Sequence, residues 1–367
     1  MKILFCIDSL RKGGAERVIS NLANAFVKED LEINILKLYN GKDEYELNEK
    51  VGIFYLEEKI ENNSNYIKKL FTFLKRRKLF KKKIKQINPD IIVAFLPYTS
   101  FLVLSVNLLK IPIVISVRND PTTEYANGLY KFLMKKLYPK ANGFVFQTED
   151  AQRYFKDILN IESVIIPNSI NPNFIVDREF VGERKKEIVS VARLFEQKNH
   201  ELLINAFIEI SNQIPDYKLI IYGEGYMRDK LQLIIDEHSM NKRIYMPGNI
   251  QNVKEKIYDA SLFVLSSDYE GMPNALMEAM CLGVPSISTD CPCGGPRFFI
   301  DNYENGILVK VGDKEMLQKE MLNVLNDKDL SQKISHNSIK ISKILEPNLI
   351  NSKWKNYILK VLNESRK

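Results

Sequence analysis

Two glutamates eight residues apart, Glu270 and Glu278, lie in the stretch EGMPNALMEAM at positions 270–280. Pro273 lies between them and favours a helix start, because proline suits the first helical turn. Backbone N–H groups at a helix start bind phosphate oxygens, and carboxylates accept hydrogen bonds from hydroxyl groups. Carboxylates are also common at helix starts for electrostatic reasons alone. The pattern therefore predicts an ordinary helix start or a site for a ligand with phosphates and hydroxyls. The N–H groups expected to meet the phosphates belong to Gly271, Met272, Asn274 and Ala275.

A second candidate lies in VARLFEQKNH, at positions 191–200. Arg193 follows a predicted strand, and Lys198 opens the next predicted helix. Two cations at the end of a strand can bind a diphosphate between them. Without other information, an arginine and a lysine are more often solvated surface charges. The diphosphate hypothesis therefore depends on what surrounds this strand end.

The third candidate is RKGGAERV, at positions 11–18, directly after the first predicted strand. Gly13 and Gly14 permit a close approach of the backbone, and the helix that follows presents N–H groups to an anion. The stretch is neither a Walker A sequence nor a complete G-x-G-x-x-G. A tight turn without a ligand is an equally good interpretation.

The elements that must position these residues form two series of short apolar strands alternating with helices. Such near-continuous apolar strands indicate parallel sheets covered on both faces, and two series indicate two doubly wound α/β domains. We expect an N-terminal domain over 1–170 and a C-terminal domain over 171–348, with a helix at 349–366 that could cross back onto the first. The predicted strands are 2–7, 32–38, 91–96, 111–117 and 143–147, then 187–192, 217–223, 243–248, 261–266 and 285–289.

The net charge of +7 is concentrated in one predicted helix, residues 66–87, which carries ten Lys/Arg and no acid. Apolar residues recur near one face of this helix, interrupted by Arg77. A basic amphipathic helix of this kind is typical of membrane-surface binding, and it could also hold the pyrophosphate of a lipid-linked substrate. A core-facing helix with a solvated basic face is the simpler alternative. The apolar residues are Tyr66, Leu70, Phe73, Phe80, Ile84 and Ile87, and the candidate contacts are Lys75, Arg76, Lys78 and Lys82.

Composition excludes several other classes of protein. The four cysteines show no zinc-ligand spacing, and with no signal peptide they predict reduced thiols in a cytosolic protein. The uncharged run at 91–109 contains Pro97 and polar neighbours, so a buried strand and a buried helix explain it better than a membrane span. No nucleic-acid recognition module accompanies the basic helix.

The set GGAERV, VARLFEQKNH, GEG, PG, EGMPNALMEAMCLGVP, GG and NGILV resembles the retaining glycosyltransferases of family 4 in order and spacing. The resemblance implies the GT-B fold, in which two Rossmann-like domains face a central cleft. It implies that the N-terminal domain, 1–170, binds the acceptor and that the C-terminal domain, 171–348, binds the nucleotide sugar. It also implies that no metal or cofactor is needed beyond a nucleotide-sugar donor. By resemblance, Arg193 and Lys198 neutralise the donor diphosphate, Glu278 holds the ribose and Glu270 lies beside the transferred sugar. Gly248 and Ile250 match the loop along the nucleotide base.

Two segments depart from the family pattern. Phe298 stands where the family often has a glutamate, which puts a ribose or sugar contact in doubt. Arg118 and Asn119 stand where the family often has a His-Asp step, and the resemblance implies that they touch the donor sugar or the acceptor.

The variant motifs resemble the branch that builds bacterial surface polysaccharides and lipid-linked oligosaccharides. This implies a UDP-hexose or UDP-N-acetylhexosamine donor, with UDP-N-acetylgalactosamine or UDP-galactose favoured over UDP-glucose. The implied acceptor is a glycan on undecaprenyl diphosphate, at the anionic inner face of the cell membrane. A non-catalytic nucleotide-binding membrane adaptor and a soluble glucan synthase are the alternatives. A sugar-nucleotide epimerase is disfavoured because all three histidines, His200, His238 and His336, lie in the second domain.

Overall fold

The computed structural model describes residues 1–11, 13–41, 45–57, 66–106, 110–156, 162–176 and 180–366, with only the backbone of residues 66–70. The chain divides into two compact units. Unit 1 comprises Met1–Ser169 and Asn348–Lys367, and unit 2 comprises Ile170–Pro347. The division falls one residue before the boundary that the sequence predicts.

Unit 1 contains a parallel sheet of seven strands in the order β3-β2-β1-β4-β5-β6-β7. Side chains from α1 and α14 pack with those of Ile3, Phe5 and Ile7 of β1 in one core cluster. Since side chains alternate along a strand, Leu4 and Cys6 point to the opposite face of the sheet. The elements of unit 1 are β1 Lys2–Ile7, α1 Gly14–Val27, β2 Glu32–Tyr39, β3 Gly52–Glu57, α2 Tyr66–Ile87, β4 Ile91–Phe95, α3 Pro97–Ser105, β5 Ile113–Ser116, α4 Pro121–Glu124, α5 Gly128–Leu137, β6 Gly143–Phe146, α6 Glu149–Lys156, β7 Ser163–Ile165 and the C-terminal α14 Pro347–Ser365.

Unit 2 contains a parallel sheet of six strands in the order β10-β9-β8-β11-β12-β13. Helices cover this sheet, and buried apolar side chains such as Ile188, Phe207 and Leu262 fill its core. The elements of unit 2 are β8 Lys185–Val191, α7 His200–Ile210, β9 Lys218–Tyr222, α8 Arg228–Glu237, β10 Ile244–Gly248, α9 Val253–Ile257, β11 Ala260–Leu265, α10 Asn274–Cys281, β12 Ser286–Thr289, α11 Gly295–Phe299, β13 Ile307–Val309, α12 Lys314–Asn326 and α13 Lys328–Ser338.

The predicted fold class is confirmed, since both sheets are parallel and doubly wound. All ten predicted strands are present, with ends shifted by at most two residues. The prediction missed β3, β7 and β13. The side chains of β3 are all exposed or half-buried at a sheet edge, so β3 lacks a continuous apolar run, and the other two strands are three residues each.

The C-terminal helix and the apolar run at 91–109 both belong to the core of unit 1. Trp354 of α14 stacks on Phe95 at the end of β4, with ring centroids 5.9 Å apart. The described part of the apolar run forms the buried β4 and α3. Within the described ranges, no helix is both long enough and apolar enough to span a membrane.

Candidate active site

An ion pair between Lys198 and Glu270 lies at the carboxyl edge of the sheet in unit 2. Lys198 ends a short 3₁₀ turn after β8, and Glu270 lies in the loop between β11 and α10. The Lys198 Nζ atom is 2.5 Å from Glu270 Oε1, and the two side chains are only 14% and 8% exposed. Ser267 Oγ donates a second hydrogen bond of 2.7 Å to the same oxygen. The fold therefore brings together two predicted site residues that are 72 positions apart, and it adds Ser267, which the sequence did not predict.

The Glu270 loop is held by the loop after β12. The Glu270 N–H donates to the Pro292 carbonyl at 2.6 Å, and the Cys293 N–H donates to the Glu270 carbonyl at 2.9 Å. A side chain at Gly295 would place its Cβ 1.9 Å from the Gly271 carbonyl oxygen. Glycine is therefore required at 295 for the two loops to approach this closely.

The two glutamates of the opening motif lie on either side of the start of α10, as the spacing predicts. Asn274 and Ala275 are the first two residues of α10, preceded by Pro273. Gly271 and Met272 lie in the loop before it. Glu278 lies one turn into the helix, where its residue is only 7% exposed. This arrangement places one buried carboxylate before, and another within, a helix start that favours anions.

Arg193 has a different environment from Lys198. It is exposed, and its guanidinium lies over the Phe195 ring at 4.6 Å from the centroid. Phe195 in turn lies 5.0 Å from the Tyr226 ring. The His200 Nε2 atom donates a hydrogen bond to the backbone carbonyl of Arg193 at 3.3 Å. Burial lowers the pKa of His200 to about 4. His200 is therefore neutral near pH 7, and Arg193 presents an exposed cationic side chain at this edge.

The loop after β10 contains the other predicted contacts of unit 2. Gly248 ends β10 with a φ of +91°, and its carbonyl accepts the Gly223 N–H at 3.0 Å. Ile250 is half-buried and packs against a hydrophobic cluster. Beside Gly248, Arg228 donates to both carboxylate oxygens of Glu224, at 2.8 and 2.7 Å. This bidentate pair was not predicted, although the GEG motif contains its glutamate.

The predicted site residues of unit 1 include a buried cation. Gly13 and Gly14 form the N-cap and first residue of α1. Arg118 follows β5 and is 9% exposed, with its Nη1 donating to Asn168 at 3.2 Å. Burial lowers the pKa of Arg118 to about 9. Within the described residues, its Nε and Nη2 atoms have no hydrogen-bond partner. Asn119, next in the chain, is half-buried.

Helix α2 spans the predicted residues 66–87, and its apolar side packs inward. Phe80, Ile84 and Ile87 are at most 5% exposed, so the core-facing interpretation is correct for them. The side chains of residues 66–70 lie outside the described part. The expectation that Arg76 belongs to the exposed basic face is wrong, because Arg76 is 5% exposed and forms an ion pair with Glu57 at 2.9 Å. The remaining predicted contacts are exposed: Lys75, Lys78 and Lys82.

Metal ligands are not clustered in the described ranges. No three His, Cys, Asp or Glu residues there are arranged to hold a metal ion. The four cysteines are all buried as free thiols, and burial raises the pKa of Cys291 to about 12.

Two family models together match most of the chain. The model described as "Glycosyltransferase Family 4" matches residues 12–174, and the model described as "Glycosyl transferases group 1" matches residues 173–341. The two matches meet where unit 1 gives way to unit 2.

Several known proteins are similar over nearly the whole chain. An α-1,4-N-acetyl-D-galactosaminyltransferase of Campylobacter jejuni is 28% identical over 366 residues, covering 99% of each chain; the acceptor in its name is GalNAc-α-(1→4)-GalNAc-α-(1→3)-diNAcBac-PP-undecaprenol. Among solved structures, sucrose-phosphate synthase from Thermosynechococcus elongatus has a TM-score of 0.85 at 16% identity, covering 99% of this chain and 100% of that one. HepE from Anabaena, solved with UDP, has a TM-score of 0.78 at 16% identity, covering 98% of this chain and 100% of that one. The structural likeness supports the shared fold.

Proposed function

Because this chain belongs to the glycosyltransferases of family 4 and has their GT-B fold, we propose that it transfers a hexose or N-acetylhexosamine from a UDP-sugar to a glycan on undecaprenyl diphosphate. The observation that carries the proposal is the Lys198–Glu270 pair before α10. It provides a cation for the donor diphosphate and a carboxylate for sugar hydroxyls, next to a helix start that favours phosphate. The Campylobacter relative, which acts on an undecaprenol-linked glycan, supports the acceptor class.

The proposed reaction proceeds with retention and without a metal. The bond between the anomeric carbon and the β-phosphate oxygen breaks, and the acceptor oxygen forms a bond to the same face of that carbon. The acceptor proton moves to the leaving phosphate oxygen, so the products are UDP and the extended glycan. Lys198 and Arg193 stabilise the charge that develops on the diphosphate, together with the N–H groups at the start of α10.

The donor sugar is proposed to be N-acetylgalactosamine or galactose rather than glucose. The resemblance to the lipid-linked oligosaccharide branch favours this choice, and the Campylobacter relative is an N-acetylgalactosaminyltransferase. Glu278 would hold the ribose diol of UDP, since it is a buried carboxylate one helical turn beyond the phosphate position.

The proposal is tested with a panel of UDP- and GDP-sugars, using a bacterial membrane extract as the acceptor source. We expect turnover of one UDP-sugar, lost in Glu270→Ala and in Lys198→Ala and unchanged by EDTA. Lys230→Ala is a matched control, because Lys230 forms an exposed ion pair with Glu201 in the same unit. Turnover of no donor, combined with lipid binding that survives both mutations, would instead support a non-catalytic membrane adaptor.

The exposed lysines of α2 are proposed to hold the enzyme at the anionic inner surface of the cell membrane. Phe71 and Leu74, on the first half of the same helix, are 68% and 49% exposed and would enter the lipid headgroup region. Each lysine near an anionic surface contributes about 1 kcal/mol, so three together contribute roughly 3 kcal/mol. The three lysines are Lys75, Lys78 and Lys82.

Co-sedimentation with vesicles tests this attachment. We expect binding to vesicles that contain phosphatidylglycerol, weakened about 100-fold when the three α2 lysines are changed to glutamine. A triple change of exposed lysines in unit 2 is the control and should bind as the wild type does. Equal binding of both triple variants would exclude α2 as the membrane contact. The control lysines are Lys242, Lys319 and Lys328.

A further inference from the structure

The carboxyl ends of β1, β2 and β3 bring together charged and aromatic side chains that the proposed transfer step does not use. Because these strands are parallel and adjacent, residues at their carboxyl ends meet at one edge of the sheet. Helices α2, α3 and α5 each add one residue to the group. The resulting edge cluster consists of Asp8, Tyr39, Glu57, Arg76, Tyr98 and Tyr130. Tyr130 is close enough to the others that, after burial, the charges of Asp8 and Tyr98 raise its pKa.

Arg76 is the fixed centre of the edge cluster. Its Nε and Nη2 atoms donate to Glu57 Oε2 at 3.2 and 2.9 Å, and its Nη1 donates to the Tyr98 hydroxyl at 3.0 Å. The guanidinium lies 5.0 Å from the Tyr39 ring centroid and 5.6 Å from that of Tyr98. Because its donors are directed at Glu57 and Tyr98 and it is buried, Arg76 orients these side chains and is not available to a ligand anion.

Asp8 presents a carboxylate at the same edge. Thr99 Oγ1 donates a hydrogen bond to Asp8 Oδ1. The backbone carbonyl of Asp8 accepts hydrogen bonds from the N–H groups of Leu38 and Tyr39 at 3.0 and 3.1 Å. Thr99 lies in the first turn of α3, so the carboxylate is next to a helix N-terminus, which favours its charged form. Burial raises the pKa of Asp8, and the Thr99 hydrogen bond and the charge of Arg76 act against that rise.

One carboxylate oxygen of Glu57 accepts no hydrogen bond from the described residues. This atom, Oε1, is buried. The nearby Lys75 ammonium is 3.8 Å away and its side chain is 59% exposed. Tyr39, Tyr98 and Tyr130 are all half-buried, so each ring keeps part of its surface accessible. The cluster thus combines carboxylate acceptors with accessible aromatic rings.

We propose that the edge cluster binds a neutral sugar, whose hydroxyl groups donate to Asp8 and Glu57 and whose apolar face packs on the tyrosines. Hydroxyl donors to carboxylates form strong, charge-assisted hydrogen bonds, and partly exposed tyrosines provide rigid apolar surface. An anionic ligand is disfavoured, because two carboxylates face it and Arg76 is already engaged. If the chain has the function proposed above, on which the identity of this ligand rests, the bound sugar is that of the acceptor glycan.

Direct binding tests the site independently of catalysis. Saturation-transfer NMR measures the binding of methyl glycosides of glucose, galactose, N-acetylglucosamine and N-acetylgalactosamine to the full chain. We expect Asp8→Asn to weaken binding of the preferred glycoside about 10- to 100-fold, as for loss of a hydrogen bond to a charged group. Tyr130→Ala, which leaves the Asp8 carboxylate in place, should also weaken it. Asp90→Asn is the matched control, because Asp90 lies at the opposite end of the same sheet, before β4.

In a transfer assay, Asp8→Asn should raise the KM for the acceptor while the rate of donor hydrolysis without acceptor stays at the wild-type value. The inference is overturned if no glycoside binds the wild type, or if Asp8→Asn and Tyr130→Ala bind as Asp90→Asn does. Sugar binding that depends on Asp8 in a protein without transferase activity would refute the proposed function and leave this site standing. Donor turnover with an unchanged acceptor KM in Asp8→Asn would refute the role of this site in acceptor binding and leave the proposed function standing.

Discussion

The replacement of Lys198 by alanine tests the proposed active site most directly, because it removes one partner of a nearly buried ion pair. Loss of one partner from a buried pair costs about 3–5 kcal/mol, since the other charge stays uncompensated. Although the Glu270 side chain is only 8% exposed, it keeps the hydrogen bond from Ser267, so we expect the lower end, about 3 kcal/mol. For a unit of this size that corresponds to a fall in Tm of roughly 6–12 °C.

The loss of transition-state stabilisation should be of similar size, roughly 2.7–4 kcal/mol. Removal of one group that stabilises developing charge typically lowers kcat by about 10²–10³. Lys230→Ala breaks an exposed pair whose side chains are 58% and 42% exposed, so it should cost less than about 1 kcal/mol and leave turnover unchanged. Thermal unfolding and single-donor kinetics are measured on both variants.

The double variant Lys198→Met/Glu270→Gln separates the two effects. In the double variant no buried carboxylate is left without a partner at position 270, so much of the stability that Lys198→Ala loses should return while turnover stays low. The reasoning is refuted if Lys198→Ala keeps more than about a tenth of wild-type turnover. It is also refuted if the Tm of Lys198→Ala matches that of Lys230→Ala.

Three further predictions follow from the geometry. Gly295→Ala should abolish turnover and lower the Tm, because the new Cβ would lie 1.9 Å from the Gly271 carbonyl oxygen. Gly128→Ala is the control, because a Cβ there meets no atom within 4 Å, and it should leave turnover and Tm unchanged. His200 has a pKa of about 4 in the folded protein against its ordinary value of 6.5, so as the pH falls the unfolded chain takes up this proton before the folded one does. The free energy of unfolding should therefore fall between pH 6.5 and 4, by at most about 1.4 kcal/mol per pH unit, and denaturant titrations should show less fall in His200→Asn. Glu278→Gln should raise the KM for the UDP-sugar about tenfold or more, with little effect on sugars linked to nucleotides that lack a ribose diol; an equal loss with a 2′-deoxy-UDP-sugar would contradict its assignment to the ribose.

Local features of the sequence were sufficient for the fold class and for the position of the Glu270–Glu278 motif. Buried parallel strands are apolar along their whole length, and glycine and proline mark where helices begin and end. These signals act over a few residues, so they give the start of α10 and its two glutamates without knowledge of any neighbour. The same signals miss β3, whose partly exposed side chains lack a continuous apolar run.

Only the tertiary structure decided which charges are buried and what they contact. Arg76 and Lys75 are adjacent in one basic run, yet Arg76 is buried against Glu57 whereas the side chain of Lys75 is 59% exposed. Likewise, Lys198 meets Glu270, and Asp8 meets Thr99, only because parallel strands end at one edge of a sheet. The free energy of a charged group depends on its exposure and on its partners, and both are set by residues distant in sequence. A pattern of residue types therefore identifies candidate groups, whereas the packed fold determines which of them can act together.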